Sequence, residues 1–251
     1  MVMADILKVQ IENLSKSFDS NTVLDNISLD VKTGENLVVF GRSGTGKSVL
    51  LKCIIGLLEP DNGDIFIEGK NVIKLSKREL NEVRKHIGFL FQGGALYDSM
   101  TVRENLSFPL VKNFDFSQKE IDDKVTRALL NVSLLEAIDK MPSELSGGMR
   151  KRAALARSII TEPRLMLYDE PTTGLDPLTT KEISELIIEL QKKLNMTSIA
   201  VTHDLICAKI IADRAIFLKD AKIKYEGTIE DLTNSKDEFL QNFFSMEVIK
   251  A

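Results

Sequence analysis

The sequence predicts an α/β fold, a largely parallel sheet carrying a helical insertion, on three observations. Leu37-Val38-Val39-Phe40 is an apolar run without alternation, the pattern of a strand buried on both faces. The middle of the chain carries two helix starts of the form S-x-x-E, at Ser76/Glu79 and Ser117/Glu120. The last third alternates apolar runs with helical stretches. The order is mixed β, then helices, then α/β, with no internal repeat, low-complexity tract or obvious linker.

Taken in order, Ile27, Leu29 and Val31 alternate with polar neighbours, as do Ile65 and Ile67 before Glu68-Gly69, which predicts strands. The Leu37 to Phe40 strand runs into a glycine-rich segment, and a helix is expected from about Ser48 to Leu58. Pro60-Asp61-Asn62-Gly63 closes that unit as a turn. Strands are expected over Ile87 to Phe91, Leu165 to Tyr168 and Thr197 to Val201, with a helix near Thr180 to Leu194. In the tail, Thr228 to Ala251, the residues Phe239, Leu240, Phe243 and Phe244 recur at helical spacing; such a stripe is expected to pack on its own domain.

Composition narrows the partners. The chain has 251 residues, ample for a core, with 43% hydrophobic and 28% charged residues, as in ordinary globular proteins. A formal net charge of −4 lacks the basic balance of a nucleic-acid binder, so no nucleic-acid partner is expected. The two cysteines, Cys53 and Cys207, are too few for a disulfide framework or a zinc site; they read as small buried side chains in a reducing compartment. No segment approaches the ~18 consecutive apolar residues of a membrane span. Met1 to Gln10, interrupted by Asp5 and Lys8, does not read as a signal peptide. Work at a membrane would go through a partner.

Four of the expected strands end in chemically useful groups. Leu37 to Phe40 ends at the glycine loop, Ile87 to Phe91 at Gln92, Leu165 to Tyr168 at Asp169-Glu170, and Ile199 to Val201 at Thr202-His203-Asp204. In an open parallel sheet, ligands bind beyond the carboxyl ends of the strands, so these ends predict one crevice.

Residues 41–48, G-R-S-G-T-G-K-S, match G-x-x-x-x-G-K-[ST] at every fixed position. Gly41, Arg42, Ser43, Gly44, Thr45 and Gly46 would turn backbone N–H groups toward phosphate oxygens, and the following helix would add its positive end. Lys47 would reach the β- and γ-phosphates, and the Ser48 hydroxyl would serve Mg²⁺. ATP and Mg²⁺ are therefore the expected ligands. Asp169, at the end of a buried strand, is placed to hold the Mg²⁺ water shell, and Glu170 is the natural general base for the attacking water.

Leu145-Ser146-Gly147-Gly148-Met149 is a second anion-binding helix start, with Ser146 as N-cap, in a chain that has one phosphate loop. Two phosphate sites with one loop predict that Ser146, Gly147 and Gly148 complete the nucleotide site of another subunit. Read locally, the same segment is a capped helix whose Arg150-Lys151-Arg152 form a solvated basic face.

Together these residues resemble the ATP-binding cassette (ABC) ATPases over essentially the whole chain. In that resemblance Leu145 to Gly148 is the L-S-G-G signature. Gln92 is the glutamine that reaches Mg²⁺ and relays to the membrane partner. Thr173-Gly174-Leu175-Asp176 is the loop whose Asp176 faces the dimer partner. His203 is the switch histidine on the γ-phosphate, and Phe18 is the aromatic that stacks on adenine. The fold implied is a P-loop NTPase core with a mostly parallel sheet, an N-terminal antiparallel β subdomain and a helical insertion. The single domain would divide into a core (1–92 and 162–227), a helical subdomain (93–161) and a tail (228–251). Met149 stands where many members carry glutamine, and T-G-L-D replaces the commoner S-A-L-D.

Two stretches, Gln92 to Pro109 and Met141 to Ile159, are similar to the ATPases of Mla-type lipid transporters, which work with MCE-domain proteins. This resemblance implies a homodimer sandwiching ATP and bound to integral membrane permease subunits. It would sit in the cytoplasm, on the inner face of the cell membrane, with phospholipid as cargo and an MCE-domain lipid-binding protein as a further partner. Ala95, Leu96, Tyr97, Met100 and Val102 form an apolar cluster that reads either as core of the insertion or, as the resemblance implies, as an exposed groove that would receive the permease. A different solute, or a soluble ABC ATPase of the iron–sulfur assembly type, stays open. A GTPase is disfavoured because no guanine-reading N-K-x-D is present.

Overall fold

The computed structural model describes residues 7–42 and 44–250; Ser43, and the Met1 to Ile6 part of the stretch read against a signal peptide, lie outside the described residues. β1 (Leu7–Phe18) and β2 (Asn21–Lys32) form an antiparallel hairpin, with Ile11 opposite Leu29 and Leu14 opposite Ile27. Ile27, Leu29 and Val31 point into the core, as their alternation requires. β3 (Asn36–Phe40) is buried at all five positions and leads through the glycine loop into α1 (Lys47–Ile54). The helix stops at Ile54, short of Leu58. Gly56 takes φ +68° and Leu57 N–H turns back onto the Lys52 carbonyl, a left-handed cap that only glycine adopts without cost.

β4 (Asn62–Ile67) and β5 (Lys70–Asn71) return to the first sheet, whose order is β2-β1-β4-β5 and whose pairs are all antiparallel. α2 (Lys77–Arg84) follows, then β6 (Ile87–Leu90). The helical insertion is α3 (Val102–Asn113), α4 (Gln118–Asn131) and α5 (Gly147–Ile159). The capping boxes at Ser76/Glu79 and Ser117/Glu120 start α2 and α4, and an unanticipated one at Thr101/Glu104 starts α3. The chain then alternates through β7 (Leu165–Asp169), α6 (Pro177–Leu194), β8 (Thr197–Val201), α7 (Leu205–Ile211) and β9 (Arg214–Lys219). It ends in β10 (Lys222–Gly227), α8 (Ile229–Thr233) and α9 (Glu238–Lys250).

The second sheet has the order β10-β9-β3-β8-β7-β6 and is parallel except for the β9/β10 hairpin. Period-2 geometry sorts its side chains between two cores. Leu37, Val39, Leu167, Ile199 and Val201 face α1 and the antiparallel sheet, while Val38, Phe40, Tyr168 and Ala200 face the helical insertion, α6 and the tail. The tail packs on its own domain: Leu240, Phe243 and Phe244 are buried, with both phenylalanine rings edge-on to Phe40. Cys53 and Cys207 are both fully buried. Among the described residues no helix is long and apolar enough to cross a membrane.

Candidate functional site

The strands β3, β8, β7 and β6 are contiguous and parallel, so their carboxyl ends open on one edge of the sheet. That edge carries the glycine loop, His203, Asp169-Glu170 and Gln92 side by side, as the four strand ends require.

Glycine is needed in the loop for contact as well as conformation. A Cβ on Gly46, at φ +97°, would sit 2.7 Å from the Val23 carbonyl oxygen, and one on Gly41 would sit 2.8 Å from that of Leu218. Gly46 is the left-handed N-cap of α1 and supplies no side-chain cap, which leaves the first-turn N–H groups to an anion. Lys47 is buried, its Nζ donating to the Gly41 (2.7 Å) and Arg42 (3.2 Å) carbonyls. Its ammonium lies 3.8 Å from a Glu170 oxygen. Burial pulls the Lys47 pKa below its ordinary value, against the opposing charges of Glu170 and Asp169. The Thr45 hydroxyl bonds the Arg42 carbonyl and holds the loop from within.

Ser48 Oγ donates to Asp169 Oδ1 at 2.6 Å. A hydroxyl and a carboxylate so close are hard oxygen donors, the set that Mg²⁺ takes when phosphates and water supply the rest of its octahedron. No group of three or more acidic, histidine or cysteine side chains forms a metal cage among the described residues.

Glu170 leaves the end of β7 with φ +51°, a left-handed conformation that is uncommon for a non-glycine residue. Its N–H donates to Val201 on β8, its carboxylate accepts from Thr173 Oγ1 at 3.3 Å, and His203 Nδ1 lies 2.9 Å away. Burial pushes the Glu170 pKa up, but the hydrogen bond and charge of His203 and the charge of Lys47 outweigh it and hold the carboxyl below its ordinary value. An ionised, oriented carboxylate between an imidazole and an ammonium can accept a proton from a bound water.

Gln92 is exposed just beyond β6, with its carbonyl taking a hydrogen bond from Lys151 Nζ at 3.1 Å. Phe18 is 43% exposed at the end of β1, with the Lys16 ammonium 5.5 Å from its ring centre.

The remaining predicted residues stand apart. Ser146, Gly147, Gly148 and Asp176 line a separate cleft of about 450 Å³ with Arg152 and Glu182, and none of the described residues of the glycine loop borders it. Ser146 caps α5, accepting from the Met149 N–H. Asp176 has local work: it caps α6, accepting from the Leu178 and Thr179 N–H groups and, at 2.6 Å, from the Thr179 hydroxyl. The expected solvated basic face of α5 needs correction at Lys151, which is 7% exposed and turns inward. The expected apolar cluster is also divided: Val102 is core and Leu96 packs against it, while Tyr97 is exposed beside Phe108. The concavity in this region is a groove of about 360 Å³ lined by Phe89, Phe91, Pro109, Phe114 and Arg157.

The Glu170–His203 contact could not be read from residues 33 apart. The Thr101/Glu104 box could have been, since T-x-x-E is written in the chain.

Residues 24–173 match the ABC transporter family. The chain is 43% identical over 229 residues, 91% of its own length and 87% of the other's, to the intermembrane phospholipid transport system ATP-binding protein MlaF of Haemophilus influenzae. It is 40% identical over 237 residues, 94% of its length and 68% of the other's, to the "Probable ribonucleotide transport ATP-binding protein mkl" of Mycobacterium leprae. Among solved structures it is similar to the dimeric post-hydrolysis state of the ATP-binding cassette MJ0796 bound to ADP and Pi. That likeness has a TM-score of 0.81 and 31% identity, and covers 88% of this chain and 98% of that one. With the glycine loop, the strand-end carboxylates and the separate L-S-G-G cleft already in place, the chain belongs to the ABC transporter family, as its ATP-binding, ATP-hydrolysing subunit.

Proposed function

We propose that two copies of this chain assemble head to tail, close two ATP molecules between them and drive an integral membrane permease that moves phospholipid between bacterial membranes. One observation supports the assembly: Ser146 to Gly148 line a cleft that none of the described residues of the glycine loop borders, and a second copy would bring the two together. In the dimer, Lys47, Ser48 and the N–H groups of Gly41 to Gly46 hold the phosphates, and Ser48, Asp169 and Gln92 hold Mg²⁺. Bound there, Mg²⁺ would neutralise phosphate charge. Glu170 takes the proton of the attacking water, His203 orients Glu170 and meets the γ-phosphate, and Phe18 stacks on adenine. Gly147, Gly148 and the N-cap Ser146 reach the other copy's nucleotide, with Asp176 holding the adjoining helix start. On this reading 1–92 and 162–227 form the core, 93–161 the helical subdomain and 228–251 the tail. The chain sits on the inner face of the membrane through the permease, in the groove beside Phe89, Phe91 and Arg157, and an MCE-domain protein carries the lipid.

The cargo rests on the MlaF likeness and on the Gln92 to Pro109 and Met141 to Ile159 stretches. The 40% identity to a protein named for ribonucleotides makes a different solute the second reading. The test is purification of the tagged chain from solubilised membranes, then reconstitution of the complex in labelled vesicles. A multi-span subunit and ATP-dependent phospholipid movement are expected. Soluble partners alone would overturn the transport reading; a permease that leaves phospholipid in place would overturn the cargo.

A further inference from the structure

One face of α5 holds the segment after β6 at three points. Lys151 Nζ donates to the Gln92 carbonyl at 3.1 Å. A Cβ on Gly94, at φ +77°, would meet the Ala154 Cβ at 3.1 Å, so the turn lies directly on the helix. Arg157 Nη1 donates to the Ala95 carbonyl at 2.6 Å. Residues 151, 154 and 157 recur every three positions and form a single stripe.

Lys151 is the costly member of this stripe. An ammonium 7% exposed loses hydration, and among the described residues no carboxylate lies within ion-pair distance of it. A residue present only to fill space there would be better served by methionine or leucine. What the ammonium gains is a charge-assisted hydrogen bond to the backbone of Gln92, with the Glu170 carboxylate attracting it from beyond ion-pair distance.

The other end of α5 is Ser146-Gly147-Gly148, whose cleft is separate from the chain's own glycine loop. Lys151 lies little more than one turn from that end. A helix is stiff over this distance, so a displacement of Gln92 and a displacement of the L-S-G-G end become one motion.

We propose that Lys151 is a positioning residue that ties Gln92, in the ATP site of its own chain, to the Ser146–Gly148 end that serves the other copy's site, so that the two sites of the dimer act cooperatively. The proposal rests on the two-copy assembly proposed above.

The experiment uses the full-length chain and its Lys151→Met and Lys151→Arg variants. ATP binding is measured on each, followed by the ATP dependence of hydrolysis. The unaltered chain is expected to show a Hill coefficient above unity. In Lys151→Met the binding affinity stays within about twofold, while kcat falls about tenfold, the scale of one hydrogen bond to a charged group, and the Hill coefficient falls to unity. Lys151→Arg, which keeps a donor, restores cooperativity. Hill coefficients equal in the unaltered chain and Lys151→Met overturn the proposal, as does a Lys151→Arg variant that stays non-cooperative with its melting temperature unchanged. Should Lys151→Met not fold, Arg157→Met, which removes the second strap, must lower the Hill coefficient, and an unchanged value refutes the stripe. ATP-dependent dimerisation of Glu170→Gln, read by size-exclusion chromatography, separates the two ideas. No dimer removes the assembly itself; a dimer without an effect at Lys151 removes only the coupling.

Discussion

His203 Nδ1 lies 2.9 Å from Glu170 Oε2, so the carboxylate just beyond β7 is bonded to the first imidazole after β8. The adjacency follows from sheet order, because β7 and β8 are parallel neighbours with Asp169 opposite Val201. Phosphoryl transfer to water needs an oriented base, and in the function proposed above this bond would orient Glu170.

Replacement Glu170→Gln keeps the shape of the side chain and its contact with Thr173 but removes the proton acceptor. Turnover should fall by about 10²–10⁴, the range for a positioned general base, with ATP binding retained. The variant should accumulate as an ATP-bound dimer. Steady-state phosphate release checks the first point, and an unimpaired rate would refute the role.

The same pair sets a pH dependence. The folded Glu170 carboxyl lies below its ordinary value of 4.5, since burial raises it but His203 and Lys47 lower it further. A carboxyl depressed by folding stabilises the protein above its unfolded value, and that contribution is lost as pH falls through the folded value. His203→Ala removes the bond and leaves the burial, so the Glu170 pKa should rise. Carboxyl ¹³C titration of the two proteins measures it; coincident curves would show that His203 exerts no hold.

Lys47 is held by two loop carbonyls, Gly41 and Arg42, and is buried beside Glu170. Lys47→Ala removes the only lysine of the loop, and with it contacts to phosphate worth about 1.5–3 kcal/mol each. ATP affinity should fall by about ten- to a hundredfold in equilibrium binding, with a smaller loss for adenosine, which has no phosphates. An ATP affinity equal to that of the unaltered chain would count against the loop.

Stability should be acutely sensitive at Gly88 on β6. A Cβ there would stand 2.4 Å from Met166 Sδ and 2.5 Å from the Ser158 carbonyl oxygen. The sulfur can turn away, but the carbonyl belongs to α5 and cannot move without shifting the helix. Gly88→Ala should cost about 1–3 kcal/mol, the usual scale of overpacking. A denaturant midpoint equal to that of the unaltered chain would show that β6 and α5 are not so tightly apposed.

Local chemistry was enough for much of this. The unbroken apolar runs at Leu37 to Phe40 and Leu165 to Tyr168 read as strands covered on both faces, and the structure buries them all. The gathering of Gly41 to Ser48, Asp169, Glu170 and His203 along one edge was legible because each lies at or just beyond the end of such a run, and a parallel sheet collects the ends of its strands. Ser76, Ser117 and Ser146 could be placed at helix starts because an N-cap bond spans three residues. What stayed out of reach was contact between elements distant in sequence. Only packing decided that Lys151 turns inward to Gln92 rather than facing solvent, that Val102 belongs to the core, and that the cleft of Ser146 and Asp176 lies apart from the glycine loop. A helix face carries no label for what will cover it; that depends on where the sheet order brings the other elements, and the order β3-β8-β7-β6 is a property of the whole chain.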